Sequence, residues 1–154
     1  MAVFPEYIVS DYHAALPAVP DFEPLDVSDA QIIATLRDVV NEQPNKVYVS
    51  PEHMRPEDIE GDPCFYVHVD EKGENPAAGC LIGEVLHRCG VPLAVLGTFE
   101  FLGAGVVLPK VISGHKPGLL LDPISDVLAT VQAAQDSGKT WREALAQASD
   151  RGMI

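Results

Sequence analysis

The chain has 154 residues, 47% of them hydrophobic, and a formal net charge of -13. At that length one domain burying about 68–70% of its unfolded surface is expected. So negative a chain repels nucleic acid and anionic membrane and attracts basic surfaces, which argues against direct nucleic-acid or membrane binding. The charge is also unevenly placed. Residues 1–76 carry 16 acids and 4 bases, leaving 7 acids and 6 bases for the rest. Nine of the 13 prolines and seven of the ten aromatic residues also precede Ala77, so an acidic, proline-broken half leads into an aliphatic, helical one.

Residues 1–27 contain Pro5, Pro17, Pro20 and Pro24, too closely spaced for long regular elements. Phe4, Tyr7, Ile8, Tyr12, Leu16 and Phe22 make the same stretch too apolar for a free tail, and it reads as an arm laid over the domain formed by 28–154, or over a partner. Met1 to Glu6 offers no basic region and only a brief apolar run, so no signal peptide is read. No stretch approaches the ~20 apolar residues of a membrane-spanning helix. With three cysteines, Cys64, Cys80 and Cys89, the expected setting is a reducing cytoplasm with free thiols.

Ser28 and Gln31 have capping-box spacing, and Ile32, Ile33, Leu36, Val39 and Val40 form the stripe of a first helix that ends before Pro44. Lys46 to Ser50 reads as a strand with Val47 and Val49 on one face and Tyr48 on the other. Cys64 to Val69 reads as a second strand, paired with the first across the acidic loop 51–63. Asn75 is a candidate N-cap with Pro76 as first helical residue, followed by the stripe Leu81, Ile82, Val85, Leu86 and Cys89. Gly90 and Pro92 turn the chain into another short helix. Gly105 to Leu108 reads either as a buried connection or as a third strand. Asp122 and Pro123 open a helix with Ile124, Val127, Leu128 and Val131 facing inward. Thr140 and Glu143 cap a last helix carrying Trp141, Leu145 and Ala148. The expected fold class is therefore α+β, a mainly helical single domain with a small antiparallel sheet.

Several patterns fall short of the chemistry they suggest. Gly138-Lys139-Thr140 ends like a phosphate loop, but Ala133 stands at its first glycine and a helix, not a strand, precedes it. Cys64, His68, Cys80, His87 and Cys89 lack the paired spacing of a zinc site, so no metal is assigned. Asp58, Glu60 and Asp62 alternate like a calcium loop, yet Pro63 and Val69 occupy the positions that need glycine and glutamate. Leu86 to Leu96 has the outline of a helix-turn-helix, but Pro92 to Phe101 contains no base and includes Glu100. Gly79 and Gly83, four apart, point to a close intramolecular contact. No serine or cysteine sits in a nucleophile setting, so no cofactor and no catalytic residue are assigned and the chain reads as a non-enzyme.

Cys80-Leu-Ile-Gly83, Leu86-His-Arg-Cys-Gly-Val-Pro92, and later Gln135-Asp136, Gly138, Thr140-Trp141 and Glu143-Ala144 carry a resemblance over residues 77–148. The run resembles a loose group of small uncharacterised proteins of actinobacteria and their phages. That resemblance brings no activity or catalytic residue; it implies a phage-encoded or mobile-element accessory protein acting in the cytoplasm of an actinobacterial host.

The leading functional expectation is a non-enzymatic acidic module that binds a basic surface on a host or virion protein. Glu52, Glu57, Asp58, Glu60 and Asp62 would supply charge, and Tyr48 and Tyr66 rigid anchors. Three alternatives stand beside it. One is a DNA mimic that inhibits a nucleic-acid-binding protein, with acids spaced like phosphates. Another is a virion structural or self-assembling protein, hence a homo-oligomer. The third is a small hydrolase-like enzyme built on His87 and Glu84, three apart on one helix.

Overall fold

A computed structural model describes residues 22–55, 64–115 and 122–154 of the chain. Within them the backbone forms six helices, a short 3-10 turn at Glu52–Met54 and one two-stranded antiparallel sheet, the mainly helical α+β architecture expected. Helix α1 (Asp29–Glu42) starts at the predicted capping box: Ser28 Oγ accepts the Gln31 N–H at 3.2 Å, and Gln31 Oε1 accepts the Ser28 N–H at 3.0 Å. Its buried stripe, Ile32, Leu36, Val39 and Val40, lies against α2 (Leu81–Arg88) and α6 (Trp141–Asp150). Helix α5 (Pro123–Asp136) packs on α6, on α2 and on α4 (Ala104–Val111), closing one continuous core. Gly90, at φ +114°, turns the chain from α2 into the short α3 (Leu93–Gly97).

The described end of the proline-rich arm lies on this core. Leu25 N–H donates to Val111 O at 2.8 Å, Ser113 N–H donates to Leu25 O at 2.9 Å, and Phe22, Leu25 and Val27 cover buried residues. The rest of the arm, residues 1–21, lies outside the described residues.

Three local expectations are corrected. First, the sheet pairs β1 (Val67–His68) with β2 (Ala77–Ala78), in the register Val67 with Ala78 and His68 with Ala77. The expected pairing of the Val47 and Cys64 segments is replaced by a bridge from Val47 to Thr140. The reason is a tight turn built by Asp70, whose carboxylate accepts from Lys72 N, Glu74 N and Asn75 Nδ2 at 2.8–2.9 Å. So short a loop costs little closure entropy, which outweighs the modest strand preference of two alanines.

Second, the central helix starts at Leu81 and not at Pro76. Asn75, at φ +54°, serves the turn, and β2 uses the next residues for pairing, with Gly79 N and Cys80 N donating to Tyr66 O and Phe65 O. Cys80 becomes the N-cap, its Sγ accepting the Gly83 N–H at 3.4 Å. Third, 105–108 belongs to helix α4, capped by Gly103, with Ala104, Val107, Leu108 and Val111 buried at helical spacing.

Candidate functional site

The structure separates the predicted site residues into two groups. Tyr48 and Tyr66 are 5% and 1% exposed, so neither presents the surface anchor expected of it. The alternation along 46–50 points the other way: Val47 and Val49 face solvent, 43% and 59% exposed, and Tyr48 faces the core. Glu52 is exposed on the 3-10 turn, whereas Glu57, Asp58, Glu60 and Asp62 lie outside the described residues.

A second source of acid joins this surface. His53 Nε2 meets Val69 O at 2.7 Å and holds the 3-10 turn beside the turn 70–75, where Glu71 and Glu74 are exposed. His53, Asp70, Glu71, Lys72, Glu74 and Asn75 line a shallow depression between the two turns. The Glu74 backbone N–H, and then the Asn75 amide, hold the Asp70 carboxyl below its usual range. Asp70 is thus committed to its own turn, and Glu52, Glu71 and Glu74 are the acids it leaves outward.

The two tyrosines belong to a buried polar network that fixes residues 64–69. Tyr48 Oη accepts the Phe65 N–H at 2.9 Å and lies 2.8 Å from His68 Nε2. Tyr66 Oη donates to Leu102 O and accepts from Gln132 Nε2 at 3.0 Å, while Gln132 Oε1 accepts the Ala104 N–H at 2.8 Å. The buried Glu100 carboxylate accepts the N–H groups of Tyr66 and Val67. Burial raises both phenols far above the ordinary tyrosine range, so they stay neutral donors. These contacts assign Tyr48, Tyr66 and Glu100 to cohesion.

Gly79 and Gly83 explain how the network closes. A Cβ on Gly83 would stand 2.4 Å from Tyr66 O, and one on Gly79 would stand 2.4 Å from His68 Cδ2 and 2.5 Å from Phe65 O. The close intramolecular approach read from their spacing is real, but only Gly83 is helical.

The His87–Glu84 pair of the enzymatic alternative is not assembled. His87 Nδ1 meets Val91 O at 2.9 Å, and Glu84 accepts from Arg88 Nε at 2.8 Å. Arg88 also forks onto Glu42 at 2.7 and 2.8 Å, tying α2 to α1. A different histidine is engaged by two acids: His115 Nδ1 lies 2.9 Å from Asp122 Oδ2, and its Nε2 lies 3.5 Å from Asp29 Oδ1. Ser125 Oγ donates to Asp122 Oδ2 at 2.8 Å. The hydroxyl is therefore turned to the carboxylate and not to the imidazole. Sequence reading missed this cluster because Asp29 is remote in the chain and no motif links it to His115.

Among the described residues no group of three or more acidic, histidine or cysteine side chains is arranged to hold a metal, and no helix is long and apolar enough to cross a membrane. Comparisons of the chain with protein-family models, with curated proteins and with solved structures give no match.

Proposed function

We propose that the chain is a non-enzymatic protein-binding module whose acidic surface, with two outward valines at its edge, engages a basic and partly apolar surface on a protein partner. The observation that supports this reading is the pair Val47 and Val49, 43% and 59% exposed on the segment that runs directly into exposed Glu52. Glu71 and Glu74 extend the same acidic surface, and Glu57, Asp58, Glu60 and Asp62 follow Glu52 in the sequence. The valines replace Tyr48 and Tyr66 as the apolar contacts.

The two kinds of residue have different work. Fully covering a valine side chain is worth about 1.5–3 kcal/mol before the costs of association. Each exposed ion pair adds only about 0.2–1 kcal/mol, but the summed negative field speeds encounter and rejects acidic partners. In this proposal the partner is a host or virion protein, as the resemblance suggested by the sequence would imply.

Affinity capture from an actinobacterial lysate at low and high salt, followed by mass spectrometry, tests it. A basic protein retained at low salt and released at high salt is the expected result. A yield indifferent to salt, or retention of acidic proteins alone, would overturn the proposal.

A further inference from the structure

Helix α1 carries, on a flank that shares no residue with the acidic surface, a shallow and mostly apolar groove. Asp29, Ala30, Ile33, Ala34 and Arg37 line it together with Ile154. Ile33 and Ile154 are only partly covered by the core they pack against, and Ala30 and Ala34 are exposed. The two charges stand at opposite ends. Asp29 and Arg37 lie about 12 Å apart along the helix, with Ile33 midway between them. Asp29 keeps its side chain 64% exposed, and only its Oδ1 faces His115 Nε2, at 3.5 Å. Among the described residues the Arg37 guanidinium makes no hydrogen bond or ion pair.

We propose that this groove receives the same groove of a second copy of the chain, with the two α1 helices antiparallel about a two-fold axis at Ile33. A two-fold contact uses one patch twice, so the patch must be complementary to itself. Here the axis sets Asp29 of each copy against Arg37 of the other and Ile33 against Ile33, and it takes the alanines and Ile154 out of water. Charge selects a second copy as the occupant. At a net charge of -13 two chains repel as wholes, so they meet only on a face whose own charge balances. The α1 groove holds one acid and one base, whereas the depression beside His53 sets Asp70, Glu71 and Glu74 against Lys72 alone. Exposed Asp38 follows Arg37 but is turned about 100° further around the helix, and it does not line the groove. One helix flank covers less than the about 800 Å² per partner of a standard stable interface, so the dimer is weak and forms as concentration rises.

Sedimentation velocity of the purified full-length protein, from micromolar to near-millimolar concentration at physiological salt, tests it. A reversible monomer–dimer equilibrium is expected. Asp29→Arg and Arg37→Asp each set like charges across the axis and raise the dissociation constant about tenfold or more, and the double variant Asp29→Arg/Arg37→Asp restores it. Asp29→Arg also places a base in the first turn of α1 and removes the contact with His115. Should it fail to fold, Arg37→Lys carries the test instead: carbodiimide coupling joins the introduced amine to Asp29 of the other copy, giving a covalent dimer whose cross-linked peptide is identified by mass spectrometry. A chain that stays monomeric at every concentration, a dimer indifferent to Arg37→Asp, or coupling of that amine to an acid of residues 1–21 in the same chain would each overturn the proposal. The measurement needs no binding partner, so its failure leaves the protein-binding reading standing.

Discussion

Replacing Gly83 by alanine sets two physical effects of opposite sign against each other. Helix propensity alone makes the change favourable by about 1 kcal/mol, since Gly83 lies within α2. The new Cβ, however, would stand 2.4 Å from Tyr66 O and 3.1 Å from Tyr66 C and Cα. The neighbour is backbone, and it is pinned: Tyr66 N–H is held by the buried Glu100 carboxylate, and Tyr66 O accepts the Gly79 N–H at 2.8 Å. Overpacking a close-packed interior costs about 1–3 kcal/mol, sometimes more, and here no flexible side-chain end can move aside. With the neighbour fixed backbone, the cost falls at the top of that range, about 3 kcal/mol; less the propensity gain of about 1 kcal/mol, the net loss is about 2 kcal/mol, a fall in Tm of about 4–8 °C for a chain of this size. Gly105→Ala is the control. It also lies in a helix, α4, but an added Cβ would meet nothing within 4 Å, so that variant gains up to about 0.5–1 kcal/mol. Urea unfolding of both variants, followed by circular dichroism, gives the two signs. Gly83→Ala as stable as the wild type would refute the reasoning.

Glu100→Gln turns one of two buried acceptors into a donor facing a backbone N–H; a loss of about 1–3 kcal/mol is expected in the same assay, and an unchanged urea midpoint would contradict it. Thr140→Ala and Ser28→Ala each remove half of a capping box and are expected to cost about 1 kcal/mol, read as a lower thermal midpoint. Alkaline pH lowers stability. Burial raises Tyr48 and Tyr66 in the folded protein, while the unfolded chain releases their protons near pH about 10. Above that pH the native state binds more protons than the unfolded one, so stability falls by about 1.4 kcal/mol per pH unit for each tyrosine. The raised thiols of Cys64 and Cys89 act with the same sign. Urea midpoints measured across this range should decline less steeply in Tyr48→Phe/Tyr66→Phe.

What the sequence makes legible is mostly local. Ser28 with Gln31, and Thr140 with Glu143, announce two helix starts because each capping box is complete within four residues. The Gly79–Gly83 spacing announces a close contact, but not which backbone fills it. The pairing of β1 with β2 was hidden because Ala77 and Ala78 carry little strand signal, while Asn75-Pro76 mimics a helix start; the Asp70 turn settles the competition. Helix α4 was hidden by Gly105 and Pro109, although Ala104, Val107, Leu108 and Val111 held its period. Tyr48 and Tyr66 looked like surface anchors because aromatic residues beside acids suggest an interface. Their hydroxyls instead satisfy Phe65 N and Leu102 O, partners that composition could not supply.

The proposed binding role is tested most directly by association kinetics between the captured partner and the triple variant Glu52→Gln/Glu71→Gln/Glu74→Gln. These three acids are exposed, so the substitutions spare the core. The association rate is expected to fall several-fold at low salt and to converge with that of the wild type at high salt. Identical association rates at both salt concentrations would contradict the acidic surface as the element that recognises the partner.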